Sequence, residues 1–140
     1  MKIGHIENGI VLDHITPGNG MNIYNVLKLD KLDCTVALIK NAESPKMGKK
    51  DIIKISTHMD LDLDILGYLD PGITVCIIRN GEVAERRTLA LPERVVGVIK
   101  CKNPRCITSV EREIVHEFKL TDPVKKTYRC IYCEQAAPRR

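Results

Sequence analysis

Four cysteines set in two close pairs constrain this chain more than any other feature of its sequence. Cys101 and Cys106 are separated by four residues, 23 residues follow, and Cys130 and Cys133 are then separated by two. Three arrangements could account for thiols spaced in this way: a closed metal site, a redox-active pair, or two disulfide bonds. The cellular compartment and the sequence around each pair distinguish among them.

The compartment disfavours disulfides. The N-terminal sequence MKIGHIENG has no apolar run long enough for a signal peptide, and no stretch approaches the roughly 20 apolar residues that cross a bilayer. We therefore expect a cytoplasmic protein with no membrane partner. In the reducing cytoplasm, paired cysteines are more often metal ligands or redox centres than structural disulfide bonds. A thioredoxin-type CxxC would open a helix after a strand, and the residues around Cys130 and Cys133 predict no such helix.

A tetrahedral Zn²⁺ site fits both the spacing and the composition of the tail. Each short pair can turn so that its two sulfurs lie about 2.3 Å from one ion, and the long insert can form a hairpin that brings the pairs together. Residues 93–140 contain few large hydrophobic side chains, so a fold of that size needs an organising metal. We predict one structural ion per chain with no open coordination position, and we expect His116 to be a surface residue.

The charge of the chain is concentrated in the same tail. Residues 1–100 contain 13 basic and 13 acidic side chains, whereas residues 101–140 contain 9 and 5, so the tail accounts for the formal excess of +4. A zinc ion with four thiolate ligands has a net charge of about −2, which would reduce the net charge of the tail to about +2. We therefore expect no nucleic-acid partner, and a zinc ribbon that binds nucleic acid through Lys125, Lys126 and Arg129 is the alternative.

The first 91 residues alternate between patterns typical of strands and of helices. Apolar alternation predicts strands over residues 9–15, 34–40, 50–56, 73–79 and 82–91, and helical spacing predicts helices over 21–31 and 61–69. Asn80-Gly81 is the strongest hairpin signal in the chain, and residues 41–48 are expected to form a loop. The resulting order is typical of an α+β fold, in which an antiparallel sheet carries two helices on one face.

We find no catalytic constellation in this first part of the chain. Asp13 and His14 are adjacent in a strand, which predicts that their side chains point to opposite faces. The turn at residues 18–20 fits a helix-entry loop better than a phosphate-binding loop. Lys49 and Lys50 are expected at a solvated edge. Arg86 follows a hairpin that could return it beside Lys54 and His14, where an anion could bind.

Several strings together resemble the regulatory chain of aspartate carbamoyltransferase. They are GIVLDHI, MGKKDIIKI, LPERV and YRCIYCE, in this order and combined with the cysteine spacing. Each string alone is weak evidence for the family, but their order makes the set specific. The resemblance extends over nearly all 140 residues.

The resemblance implies a non-catalytic subunit of the enzyme that commits carbamoyl phosphate and aspartate to pyrimidine synthesis. Residues 1–92 would form an allosteric domain that binds nucleoside triphosphates, with CTP and UTP as typical inhibitors and ATP as activator, and that pairs with a second regulatory chain. Residues 93–140 would form a small all-β, rubredoxin-like zinc domain with ligands Cys101, Cys106, Cys130 and Cys133. That domain would dock on the catalytic chains.

The resemblance also assigns effector-binding positions. Val11 and Asp13 resemble residues that line the base and hold the ribose, and His14 resembles a residue near the triphosphate. Lys54 resembles a lysine that reaches the base and sugar, and Arg86 stands where the family commonly has a phosphate-binding lysine. Apolar wall positions are matched by Ile6, Ile52, Ile78 and Val83. Cys34 and Cys76 each lie in a predicted apolar strand, which predicts that both are buried thiols. Cys76 also occupies a position where some relatives have an asparagine that hydrogen-bonds the base.

Overall fold

The computed structural model describes residues 6–137 and divides the chain into two compact units. The first unit is Met1–Ala90 and the second is Leu91–Arg140. Among the described residues, no helix has both the length and the apolar character that a membrane crossing requires. Each unit has its own sheet and its own buried side chains, and each is described separately.

The first unit is a five-stranded antiparallel sheet with strand order β2-β3-β1-β4-β5. Its elements are, in chain order, β1 (Gly9–Ile15), α1 (Gly20–Val26), a 3₁₀ turn (Leu29–Lys31), β2 (Val36–Ser44), β3 (Gly48–Ile55), α2 (Leu63–Leu69), β4 (Thr74–Arg79) and β5 (Glu82–Thr88). Asn80 and Gly81 have the positive φ angles, 54° and 79°, of the tight hairpin turn that the sequence predicts between β4 and β5.

Both helices pack on the same face of this sheet. Ile23 of α1 and Leu66 of α2 belong to one buried cluster with the following strand and loop residues: Ile10, Leu12, Ile15, Leu29, Ile53, Ile55, Ile73 and Val75. Each helix has only seven residues, which is too short for stability in isolation. Burial of one large aliphatic side chain contributes about 1.5–3 kcal/mol, so packing on the sheet holds these helices in place. The predicted α+β class is confirmed.

The helix boundaries differ from the predicted ones for local reasons. The first helix ends at Val26 because Lys28 has a left-handed backbone, with φ of 55°, which separates α1 from the 3₁₀ turn. The second begins at Leu63 because a carboxylate oxygen of Asp62 accepts hydrogen bonds from the backbone N–H groups of Asp64 and Ile65, both at 3.1 Å. Such a cap fixes the start of a helix.

The segment predicted as a loop at residues 41–48 is largely strand. β2 continues to Ser44 through an irregularity between Ile39 and Ala42, where Asn41 has a φ of 58°. Asn41 tolerates this left-handed conformation better than most residues. The connection to β3 is therefore confined to residues 45–47, and the two strands pair along most of their length.

A buried carboxylate, Asp51, joins this irregularity to the entry of α1. Its Oδ2 accepts hydrogen bonds from the N–H groups of Gly18 and Gly20, both at 3.1 Å, and its Oδ1 accepts one from Asn41 N–H at 3.0 Å. Asp51 is fully buried, so these bonds replace its lost hydration. The backbone donors of the turn at residues 18–20 thus bind a carboxylate of the protein, and the turn is a helix-entry loop.

We predict that Asp51→Asn lowers the free energy of unfolding of the first unit by about 2–4 kcal/mol. Asparagine keeps the shape of the side chain but loses the charge, and its NH₂ group faces backbone donors that need an acceptor. Urea titration of the full chain, followed by circular dichroism, measures the change, with exposed Asp30→Asn as the matched control. Equal midpoints for the two variants would contradict this role of Asp51.

The second unit is a three-stranded antiparallel sheet with strand order β6-β7-β8. Its elements are β6 (Arg94–Val96), the short helix α3 (Ile107–Val110), β7 (Glu117–Asp122) and β8 (Thr127–Cys130). The predicted hairpin in the cysteine insert is confirmed as β7 and β8, whereas the one-turn helix α3 was not predicted. Val95, Phe118 and Cys130 occupy paired positions on the buried face, and Tyr128 Oη donates to Pro92 O at 2.6 Å.

Candidate functional site

The four cysteines of the paired motif converge at one point of the second unit. All four Sγ atoms lie within 4.8 Å of one another, and all four thiols are free. The Sγ atoms of Cys101 and Cys133 are 3.6 Å apart, and those of Cys106 and Cys130 are 3.7 Å apart. A tetrahedron with metal–sulfur distances of about 2.3 Å has sulfur–sulfur edges of about 3.8 Å. The cluster is therefore positioned to bind a metal ion, and the disulfide interpretation is wrong.

Tight turns present these sulfurs. The N–H of Cys106 donates to Asn103 O at 3.0 Å, and the N–H of Glu134 donates to Cys130 O at 2.8 Å. Glu134 has a φ of 65°, which bends the chain directly after the last cysteine. Buried Thr108 donates its hydroxyl to Cys106 Sγ at 3.1 Å. Hydrogen bonds of this kind orient a ligand sulfur and stabilise its thiolate.

The protonation of the cluster is uneven. Burial raises the pKa of the Cys101 and Cys130 thiols, whereas the hydroxyl of Thr108 lowers the pKa of Cys106. Burial also acts to raise the pKa of Cys133, but hydrogen bonds outweigh it and the pKa is lowered. Four thiolates this close repel one another, so the chemistry of the donor set calls for a divalent cation to hold all of them deprotonated.

His116 does not lie free on the surface as the sequence analysis expected. It is half-buried, and its Nδ1 accepts a hydrogen bond from the backbone N–H of Cys101 at 2.9 Å. The imidazole must therefore be unprotonated at Nδ1. His116 thus positions the backbone of Cys101, a cysteine of the cluster. The spacing of the cysteines in the sequence gives no indication of this role.

A second candidate site lies on the face of the first unit that the helices leave uncovered, here called the open face. A single cross-strand row on this face spans all five strands. From β2 to β5 it consists of Ala37, Lys54, Val11, Cys76 and Arg86. Strands in a sheet are about 4.8 Å apart, which puts Lys54 and Arg86 about 14 Å from each other at the level of the backbone. The row thus places three predicted effector residues, Val11, Lys54 and Arg86, on one surface. The expectation that Arg86 lies beside Lys54 is wrong, because β1 and β4 separate the two strands that carry them.

The predicted opposition of Asp13 and His14 is wrong because β1 contains a bulge between Leu12 and Ile15. A step of three residues on β1 faces a step of two residues on β3. Leu12 and Ile15 are both buried in the helix-side core, and His14 has a left-handed φ of 59°. The extra residue breaks the strict alternation of the strand, and both Asp13 and His14 belong to the open face.

The contacts of these two residues show where their side chains lie. Asp13 Oδ1 is 2.9 Å from Lys50 Nζ, and His14 Nδ1 is 3.2 Å from Thr74 Oγ1. Burial acts to raise the pKa of Asp13, but hydrogen bonds from Lys50 and from the backbone N–H of His14 outweigh it and lower the pKa. The expectation of a solvated edge is confirmed for Lys49, which is exposed, and is wrong for Lys50, whose side chain is only 16% exposed.

An apolar patch lies along the same row. Ile6, Cys76 and Ile78 form a small buried cluster against which Val11 packs, so the predicted burial of the Cys76 thiol is confirmed. The same prediction is wrong for Cys34, which is only half-buried and precedes the first residue of β2. The open face therefore combines an apolar patch, the cations of Lys54 and Arg86, and the ionised carboxylate of Asp13. Such a surface can hold a planar ring together with anionic groups.

Sequence reasoning missed two residues of this face. Lys50 lies four residues before Lys54 on β3, so the period of two in a strand could have placed both on one face. Thr74 offers no such signal, because its contact with His14 depends on the bulge in β1. Both residues hold predicted effector residues in position through the contacts described above.

Comparison with known proteins identifies the family of both units. Two family models match the chain: the allosteric domain of the aspartate carbamoyltransferase regulatory chain over residues 1–90, and the metal-binding domain of the same chain over residues 93–140. Among curated proteins, the regulatory chain of Clostridium acetobutylicum is 53% identical over 135 residues, covering 96% of this chain and 92% of the relative. That of Clostridium botulinum strain Hall is 51% identical with the same coverage.

A more distant relative matches along nearly its entire length. The aspartate carbamoyltransferase regulatory chain of Bifidobacterium longum is 42% identical over 137 residues, covering 98% of this chain and 99% of the relative. The predicted resemblance is thereby confirmed. The chain belongs to the family of aspartate carbamoyltransferase regulatory chains.

Proposed function

We propose that this chain is a non-catalytic subunit that senses nucleoside triphosphates on its open face and regulates the catalytic chains of aspartate carbamoyltransferase. Residues 1–92 serve as the effector domain and pair with a second regulatory chain, and residues 93–140 serve as the docking domain. The observation that carries the proposal is the cross-strand row that brings Val11, Lys54 and Arg86 together. Family membership provides the enzyme that is regulated.

The composition of the open face supports a nucleoside triphosphate as the effector. The apolar patch around Val11 suits a base, and the ionised carboxylate of Asp13 suits the ribose hydroxyls. In this proposal Lys54 contacts the base and sugar, while Arg86 and His14 attract the phosphates. The effector is bound and not hydrolysed, and its effect on the catalytic chains corresponds to a coupling free energy of about 1–3 kcal/mol.

The cysteine cluster supports one structural zinc ion per chain, held by Cys101, Cys106, Cys130 and Cys133. Four thiolates in a tetrahedron favour zinc over the harder cations that prefer oxygen ligands. The ion would neutralise the mutual repulsion of the sulfurs and hold the two ends of the second unit together. A set of four reduced thiols is also in keeping with a cytoplasmic location. A nucleic-acid-binding ribbon is not favoured, since both family matches are to the regulatory chain.

The test is to mix the purified chain with catalytic trimer, with and without zinc, and to weigh the products by native mass spectrometry. We expect pairs of regulatory chains to join catalytic trimers only when zinc is present. In that complex, nucleoside triphosphates should alter the dependence of activity on aspartate, and they should not do so for the trimer alone. Failure of the zinc-loaded chain to assemble, or retention on single-stranded DNA instead, would refute the proposal.

A further inference from the structure

Three cations stand in adjacent positions across the outer face of the second unit's sheet. Arg94 on β6 is paired with Lys119 on β7, and Lys119 is paired with Arg129 on β8. All three residues are exposed. Directly opposite residues in antiparallel strands have Cβ atoms about 4.5–5.5 Å apart, and like charges in such positions destabilise a sheet. Negative charge supplied by a partner would therefore stabilise this cationic row.

The described part of the chain compensates the row only partly. Arg94 forms a 2.6 Å ion pair with Glu117, and Arg129 donates to the carbonyl oxygen of Glu134 at 3.0 Å. Lys119 lies between them and forms no salt bridge with any residue in the range 6–137. An excess of positive charge thus remains at the centre of the row.

Apolar side chains border the cationic row. Val96 is 55% exposed and Ile131 is 37% exposed, and both adjoin Glu117, through the pairing of β6 with β7 and a hydrogen bond from Ile131 N–H to Glu117 O. A depression of about 790 Å³ is lined by residues of the row together with Ile131 and Glu134. Exposed apolar groups beside arginines are typical of protein interfaces.

We propose that the row of Arg94, Lys119 and Arg129 is the surface through which the second unit binds a cluster of aspartate and glutamate side chains on the catalytic chain. This inference rests on the proposed function and adds the chemistry of the contact. Carboxylates of a partner would form charge-assisted hydrogen bonds with the row and relieve its internal repulsion. Val96 and Ile131 would supply the apolar part of the same interface.

A protein partner suits this surface better than a nucleic acid does. Nonspecific binding of single strands depends on several exposed aromatic rings on which bases stack. Of the aromatic residues in the second unit, Phe118 and Tyr128 are only 1% and 2% exposed, so Tyr132, at 48%, is the single exposed ring among the described residues of this unit. The patch also contains the carboxylate of Glu117, paired with Arg94, and the exposed side chains of Val96 and Ile131, a mixture that a uniform phosphate backbone does not complement. A protein surface can instead match a mixture of cations, one acid and aliphatic side chains.

The test is to measure assembly of the zinc-loaded full chain with catalytic trimer for Lys119→Glu, Arg129→Glu and the double variant. We expect about a tenfold loss of affinity or more for each reversal and a larger loss for the double variant, because each places like charges together at the interface. Lys125→Glu, an exposed cation in the β7–β8 turn, is the matched control and should assemble normally. Lys119→Arg, which keeps the charge, should also assemble normally.

Zinc content and circular dichroism establish that each variant is folded, and Lys119→Gln with Arg129→Gln provides a milder pair if a reversal loses its metal. Zinc-loaded reversal variants that assemble as tightly as the unmodified chain would overturn this inference and leave the proposed function standing. An unmodified chain that does not assemble would overturn both. Variants that assemble normally but lose retention on a single-stranded oligonucleotide would show that the row binds nucleic acid instead.

Discussion

Replacement of Cys133 with serine is expected to abolish metal binding, unfold the second unit and prevent assembly with catalytic chains. A serine hydroxyl is a poor substitute for a thiolate ligand, and a structural zinc site provides about 10–16 kcal/mol of apparent free energy at neutral pH. A unit of this size has only a few kcal/mol of stability from its own core. The free energy lost with the metal site therefore exceeds the stability that burial of Phe118, Tyr128 and their neighbours contributes.

The first unit should survive this replacement because its core is separate. We expect Cys133→Ser to retain nucleotide binding in calorimetry, while zinc content falls to background and limited proteolysis cuts within the second unit. Cys34→Ser is the control, since Cys34 lies outside the cysteine cluster. Removal of zinc from the unmodified chain with a strong chelator should reproduce the effect of Cys133→Ser. A Cys133→Ser chain that still forms the complete complex would contradict the structural role of the cluster.

The cysteine cluster could be anticipated from the sequence because its chemistry is local. The spacing within each pair limits where two sulfurs can lie, and four thiols in one small unit have few alternatives to a shared ion. The backbone hydrogen bonds of the turns around Cys106 and Cys130 join residues no more than five positions apart. The contact between His116 and Cys101 spans fifteen positions in sequence, and no periodicity of the chain indicates it.

The effector face was predictable in outline for a different reason. Alternation in β1 and β3 places Val11 and Lys54 on one face, and the Asn80-Gly81 turn folds β5 back so that Arg86 joins them. The bulge in β1 was not predictable, because the strand sequence GIVLDHI gives no sign of an extra residue. It required the positive φ of His14, and it changed the predicted environments of Asp13 and Lys50.

The extension of β2 to Ser44 was likewise not predictable from the local sequence. Residues 41–48 include proline and glycine and therefore resemble a loop. Pairing with β3 nevertheless keeps the backbone extended as far as Ser44, and the buried carboxylate of Asp51 accepts a hydrogen bond from Asn41 N–H at the irregularity. Tertiary hydrogen bonds thus override the local preference. Local patterns identified the elements, and the positions at which strands bend were decided by contacts between distant parts of the chain.

Replacement of Lys54 with alanine is expected to weaken the binding of nucleoside triphosphates by about tenfold or more. Lys54 lies next to Val11 in the cross-strand row, and a hydrogen bond to a charged group contributes about 1.5–3 kcal/mol. Isothermal titration calorimetry of the purified full chain with CTP and with ATP measures the change. Lys49→Ala is the matched control, since Lys49 is exposed, lies on the same strand and alternates with the residues of the open face.

The same experiment separates a local effect from a loss of folding. Lys54→Ala should keep its zinc and its assembly with catalytic trimer, because the cysteine cluster belongs to the other unit. Arg86→Ala should weaken binding as well, and Arg86→Lys should restore much of it, because attraction to phosphate depends mainly on the positive charge. If the calorimetric titrations of Lys54→Ala and Lys49→Ala coincide with that of the unmodified chain, the effector does not bind on the open face.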